Sequence, residues 1–209
     1  MNHRLYRILM TSGVLPLVTA IGIQFYSLAD DYLAGRRAEA LLQRTLNQGA
    51  VPSGAAPQPV PDDAHIPGGR SPTVLEALTT GSDAMSYGTI GVLIIPRINV
   101  KLPVISTCSD ALLAISVCRY KREMNPGPTR MVIAGHNYKT HFGRVPGLVP
   151  GDDVYFQDNN GVQYHYKVTE LTEIDGSDHD GLESGEWNLT LLTCNRDRTR
   201  RILARCVQV

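Results

Sequence analysis

The sequence has no net charge, since twenty Lys and Arg offset twenty Asp and Glu over 209 residues. Its one dense basic stretch, Arg196–Arg205, is short and mixed in character, so nothing in it points to binding of a phosphate backbone. No closely spaced cysteine pair and no His-Glu-x-x-His helix occurs. His136 and His141, with four residues between them, therefore lack the first half of a zinc site, and no metal or cofactor is expected. No internal repeat of useful period is present, which excludes a solenoid. The four cysteines are spaced wrongly for a full disulfide framework. If Cys194 and Cys206 lie on successive antiparallel strands, they end up on the order of 15 Å apart at ~3.3 Å per residue, too far to bridge. Cys108 and Cys118 flank a short apolar helix and are close enough in sequence to pair; we read them as buried free thiols.

What is present begins at the N-terminus. His3, Arg4 and Arg7 precede Ile8–Ala29, a run without charge that ends at Asp30 and Asp31. About 20 residues at ~1.5 Å each cover the ~30 Å hydrocarbon core of a bilayer, and the basic flank stays cytoplasmic. The expectation is a cytoplasmic segment 1–7, a transmembrane signal-anchor 8–29 and an exported remainder. Ser27-Leu28-Ala29 also fits a signal-peptide cleavage site, but the apolar run is longer than the usual h-region, and either outcome exports the C-terminal part.

Residues 30–72 read as a juxtamembrane helix followed by a linker. Ala34, Ala38, Leu41 and Leu42 recur at the three- and four-residue steps of one helix face. Gly49–Pro72 is rich in Pro, Gly, Ala and Ser and cannot form a core, so it is expected to tether the domain and hold it off the membrane. Residues 73–209 form the expected catalytic domain, opened by a short helix from a Thr73…Glu76 capping box. Thr89–Ile95 is β-branched and stopped by Pro96. Further strands are expected at Asn99–Ile105, Arg130–Ala134, Asp153–Phe156, Gln163–Leu171, Asn188–Thr193 and Arg201–Val207, with a helix over Ser109–Arg119. Short strands separated by Gly, Asp and Asn clusters predict a mostly β fold, a barrel with few helices.

Three segments carry chemistry, each at an expected strand end: Gly135-His136-Asn137, then Thr190-Leu191-Leu192-Thr193-Cys194, then Arg201. A cysteine nucleophile needs a thiolate or a nearby base, and a strand end fixes its geometry while leaving it open to a polypeptide. His136 is the natural acid/base, able to protonate a leaving amine. A hairpin of seven residues returns Arg201 toward the thiol, where its guanidinium can donate to a substrate carbonyl or an oxyanion. Arg196, Arg198, Arg200 and Arg205 crowd the same stretch, and Arg200 is the main rival. Thr193 either shapes the site or fills a barrel position. His65, His165 and His179 have no matching context. Asp175, Asp178, Asp180 and Glu183 have the oxygen ligands calcium prefers, but read as a solvated acidic loop.

Thr190–Cys194 followed by Arg201 resembles the cysteine signature of the sortase family, and Gly135-His136-Asn137 resembles its histidine motif. Leu93–Ile98 and Leu102-Pro103-Val104 resemble its early strand pair, so the likeness runs from Tyr87 to Val209. The resemblance implies a closed, eight-stranded sortase-type barrel with Cys194, His136 and Arg201 as catalytic residues. It implies a cysteine transpeptidase that cleaves a sorting-signal peptide of surface proteins through a thioacyl intermediate. The acceptor would be an amine on a cell-wall precursor or a pilin. Gln157–Trp187 is short for the helical insertion of class B, and no apolar anchor follows Val209, so a class D-like sortase is expected with class B left open. The alternatives are an L,D-transpeptidase-like enzyme, although its Ser-x-Gly-Cys context is absent, and a non-catalytic barrel that binds surface peptides.

Overall fold

The computed structural model describes residues 3–47 and 88–209, with residues 3–15 described by backbone only. The N-terminal part is one helix, α1 (His3–Asn47), which continues through Pro16. The remainder is a closed barrel of eight strands, β1 (Thr89–Ile95), β2 (Val100–Ile105), β3 (Val117–Arg119), β4 (Met131–Ala134), β5 (Asp153–Asp158), β6 (Gln163–Asp175), β7 (Leu189–Cys194) and β8 (Arg200–Gln208). Around the barrel the order is β1-β2-β3-β4-β7-β8-β6-β5, closing onto β1. Closure removes the exposed edges that an open sheet of short strands would leave for aggregation.

β1 ends where Pro96 starts a single 3-10 turn, and Asn99 completes the reversal at φ 53, a left-handed position that Asn tolerates. The expected helix over Ser109–Arg119 is divided. Only α2 (Asp110–Leu113) is helical, capped by the Ser109 side chain accepting from the Leu112 N–H at 3.3 Å. The chain then straightens into β3, whose three residues are all buried between β2 and β4. The barrel offers Val117 and Cys118 two strand partners, which outweighs a local helical preference. The other strands fall within a few residues of their expected bounds.

Alternation along β7 divides the core. Leu189 and Leu191 enter the larger cluster inside the barrel, with Leu93, Val104, Ile133, Phe156 and Tyr166. Leu192 points the other way, into a smaller cluster with Ile105, Leu112, Ala134 and Leu203. By the same alternation Thr193 belongs to the inner face and Cys194 to the outer one. All four cysteines are free. Cys194 and Cys206 stand at opposite ends of the β7–β8 pair, facing Arg201 and Leu189 respectively. Cys118 is buried as expected, whereas Cys108 is half-exposed.

The expected juxtamembrane face packs against the barrel: Ala34, Ala38 and Leu42 are 1%, 2% and 5% exposed, and Leu41 is half-buried. Gly49–Pro72 and the helix expected from Thr73 lie outside the described residues. Thr45 and Thr89, which flank that interval, share a hydrogen bond of 3.2 Å between their hydroxyls. These contacts dock α1 directly on the barrel. No helix among the described residues is long and apolar enough to cross a membrane. Residues Leu17, Val18, Ile21, Ile23, Phe25, Tyr26 and Leu28 of α1 are nevertheless exposed.

Arg205, one of the arginines near the cysteine, has a structural setting. It is 5% exposed, donates to the Leu182 carbonyl at 2.9 Å and also to the Gly181 carbonyl, and lies 5.7 Å from the centre of the Trp187 ring. These bonds tie α3 (His179–Glu183) to the barrel wall. Arg205→Ala strands two carbonyls and leaves a void, and is expected to cost about 2–4 kcal/mol. Urea denaturation reads this directly, and an unchanged midpoint would show that α3 is held by something else.

Candidate active site

β4 and β7 run parallel, with Met131 opposite Leu189, Val132 opposite Thr190, Ile133 opposite Leu191 and Ala134 opposite Leu192. Their C-terminal ends therefore leave the barrel together, and the pairing continues past the last ladder residue. The Gly135 N–H donates to the Leu192 carbonyl at 2.9 Å. Beyond it, the Asn137 side-chain amide donates to the Asn195 carbonyl at 3.1 Å. Carried two residues past the end of β4, the same register brings His136 level with Cys194. On the other flank β8 pairs antiparallel with β7 and puts Arg201 directly opposite Cys194. The Arg201 Nη1 lies 2.6 Å from the Cys194 Sγ. The registers thus bring the three residues selected from the sequence to one end of the barrel, Cys194 and Arg201 on β7 and β8 and His136 just past the end of β4.

Each of the three is held locally. Gly135 precedes the histidine because a side chain there does not fit: a Cβ would stand 2.7 Å from the Phe142 ring and 2.9 Å from Val117. The loop after His136 folds back tightly, with the Phe142 N–H donating to the His136 carbonyl at 3.0 Å and the Gly143 N–H to the Tyr138 carbonyl at 2.8 Å. Between β7 and β8, Asn195 closes the turn. Its backbone N–H donates to the Arg200 carbonyl at 3.0 Å, and its side-chain oxygen accepts from the Arg200 N–H at 3.1 Å. Arg198 takes the left-handed conformation at φ 61 inside that turn.

The rival arginines are placed elsewhere. Arg200 faces Glu173 at 3.9 Å on the exposed side, and Arg205 is buried under Trp187. Thr193 is 2% exposed and its hydroxyl has no hydrogen-bond partner among the described residues, which fits a barrel position beside the site. His165 pairs with Asp153 at 2.7 Å on the far strands. Asp178 caps α3 by accepting from the Gly181 N–H at 2.7 Å, and Asp175 accepts from Ser177, so these two members of the acidic loop serve local turns.

Burial, followed by the positive charges of Arg198 and Arg201, pushes the His136 pKa down to about 4. His141, fully buried, is likewise pushed down to about 4, by burial first and then by His136. Tyr138 lies between them, its ring centroid 5.0 Å from that of His136 and 5.5 Å from that of His141. Sequence reasoning considered His141 only as a metal ligand and gave Asn137 and Asn195 no role. A residue pair fifty-eight positions apart has no local signal.

A family model described as the sortase domain matches residues 93–209, more than half of the chain. The chain belongs to the sortase family. It is 29% identical over 109 residues to sortase A of Bacillus anthracis, a match covering 50% of this chain and 51% of that protein. The match thus spans about half the length of that curated relative. Among solved structures, the sortase C of Clostridium perfringens SM101 is similar at 23% identity with a TM-score of 0.52, over 66% of this chain and 91% of that one. Listeria monocytogenes sortase A is similar at 24% identity with a TM-score of 0.54, over 58% and 87%. These likenesses establish the barrel fold.

Both histidines link stability to pH. The unfolded chain takes up protons as pH falls through about 6.5, whereas the folded chain leaves both rings neutral until about 4. In that window the unfolded state binds more protons, so stability falls as pH falls. The free energy of unfolding is expected to drop steeply from pH 7 to pH 5, and His141→Leu to flatten that slope by about one proton. Equal slopes for the variant and the parent would show that His141 is not held neutral.

Proposed function

We propose that this chain is a cysteine transpeptidase that cleaves a sorting-signal peptide of surface proteins and passes the acyl group to an amine. The observation that carries the reading is the 2.6 Å contact between the Arg201 guanidinium and the Cys194 sulfur, with His136 at the same end of the barrel. Membership in the sortase family supports it. Another member, the Clostridium perfringens sortase C, has been solved with a C-terminal cell wall sorting motif, which makes a peptide of that kind the natural first substrate.

The neutral imidazole defines the order of proton movements. His136 accepts the proton of Cys194 as sulfur attacks the scissile carbonyl carbon, normally of a Thr-Gly-type bond. Charge builds on the carbonyl oxygen, and the Arg201 fork donates to it. The C–N bond breaks, the leaving amine takes the proton from His136, and a thioester remains on Cys194. An incoming amine from a cell-wall precursor or a pilin then attacks the thioester, giving its proton through His136 to the departing sulfur. Enzyme and proton count return to their starting state.

We also read residues 8–29 as a membrane anchor, residues 1–7 as cytoplasmic and the barrel as extracellular. Seven large apolar side chains between Leu17 and Leu28 are exposed on α1, and an uncharged apolar surface of that extent is better matched by a non-aqueous surrounding than by water. The domain limits expected from the sequence, 30–72 for helix and linker and 73–209 for the catalytic unit, are kept on this reading.

The test is mass spectrometry of the full chain in detergent with a panel of LPxTG-type and NPxTx-type peptides. An acyl adduct on Cys194, released by hydroxylamine or a glycine amine, is expected. Cys194→Ala is expected to abolish turnover, and Arg201→Ala to lower kcat by about 10²–10³-fold. If Cys194 alkylates readily yet no peptide acylates it, the chain is a binding barrel or uses a different acyl donor.

A further inference from the structure

The docked part of α1 packs along β2 and β1 and also meets the loop that follows His136, where Asp31 makes two hydrogen bonds; Arg37 and Thr45 bond elsewhere, to the Ala114 carbonyl and to Thr89. The Asp31 carboxylate accepts the Lys139 backbone N–H at 3.0 Å, and the Asp31 carbonyl accepts the Thr140 hydroxyl at 3.1 Å. One turn on, Gly35 lies so close to Thr140 that a Cβ would stand 2.9 Å from its Cγ2. Ala34, 1% exposed, belongs to the same buried stripe, and the His141 ring of the loop is fully buried. Two residues of the loop are thus hydrogen-bonded to the helix.

The loop is too short and too tightly closed to absorb movement at Lys139 and Thr140. The His141 and Gly143 N–H groups both donate to the Tyr138 carbonyl, and the Phe142 N–H donates to the carbonyl of His136 itself. A Cβ on Gly143 would stand 2.5 Å from the Asn137 carbonyl oxygen, so the turn has no slack there either. A shift at the helix contact reaches His136 through two hydrogen bonds.

We infer that Asp31, with the close approach allowed by Gly35, is a positioning residue that fixes the His136 loop, so that the N-terminal helix is a working part of the active site. The inference rests on the reading of His136 as the proton carrier. It differs from simple packing in what it predicts. A packing helix stabilises the barrel as a whole, whereas a clamp on this loop governs the rate of the proton-transfer steps with the peptide bound.

The test uses the full chain in detergent with a peptide that the parent cleaves. Asp31→Ala is expected to lower kcat about tenfold with KM within about twofold, since sub-ångström misplacement of a reacting group costs rate more than binding. Asp31→Asn keeps an oxygen that accepts the Lys139 N–H and is expected to stay within about twofold of the parent. Gly35→Ala is expected to lower kcat about tenfold through its clash with Thr140. The double variant G35A/T140S is expected to regain most of that loss, because serine lacks the clashing Cγ2. Hydrogen exchange of the 137–143 amides gives a second readout, and Asp31→Ala is expected to speed exchange at Lys139 about tenfold.

An unchanged kcat in Asp31→Ala overturns the inference, as does a loss in Asp31→Asn equal to that in Asp31→Ala. If the parent cleaves no peptide, the catalytic reading fails separately and exchange decides. Faster exchange at Lys139 upholds the clamp, and unchanged exchange overturns it.

Discussion

The parallel pairing of β4 with β7 is the constraint on which the site depends. Four consecutive residue pairs from Met131–Leu189 to Ala134–Leu192 share one register, and the Asn137–Asn195 hydrogen bond carries it three residues beyond the strand end. An antiparallel pair would send the two chain exits to opposite ends of the barrel. A parallel pair sends them to the same end, and the common offset brings His136 level with Cys194. A slip of one residue would turn Cys194 inward, into the core position now held by Thr193. The large inner cluster around Leu189 and Leu191 resists that slip, because it would bring Thr190 and Cys194 into the inner core in place of Leu191 and Thr193.

The β7–β8 hairpin adds the third member by a different device. Here the register is set locally, by a five-residue turn that Asn195 closes with both its backbone and its side chain. Cys194 and Arg201 are opposite partners whose side chains share a face, and the guanidinium reaches the sulfur without leaving its strand. The same charge, with that of Arg198, helps keep the buried imidazole neutral. One cation thus contacts the sulfur and also disfavours protonation of the nearby imidazole.

The legibility of these features in the sequence follows their range. β1 was readable because Thr89–Ile95 is a β-branched run with a proline stop, and β7 because its apolar residues lead straight to a cysteine. Arg201 was separable from Arg200 by the apolar strand that follows it, and the structure sends Arg200 to Glu173 on the exposed side. The helix expected over Ser109–Arg119 failed in its second half, where β2 and β4 supply partners that no local pattern announces. The hairpin already returned Arg201 toward Cys194, but the β4–β7 pairing that brings His136 to the same end joins segments fifty-eight residues apart and has no local signal, so His136 was tied to the cysteine only through the family resemblance. Asp31 was least visible of all, since an acidic residue after an apolar run looks like a simple boundary, and its partner Lys139 is 108 residues away.

That last contact couples the N-terminal helix to the active-site end. A flexible tether between membrane segment and barrel would let the active-site end point in any direction. In the structure α1 is one unbroken helix from His3 to Asn47, and its contact at Asp31 lies on the His136 loop. Leu28, which ends the exposed apolar cluster Leu17–Leu28, is three residues before Asp31, a rise of about 4.5 Å along the helix, and Tyr32 just beyond it is exposed as well. The helix that carries the exposed apolar stretch is thus the same helix that holds the His136 loop, so the two cannot move independently of one another while α1 stays docked.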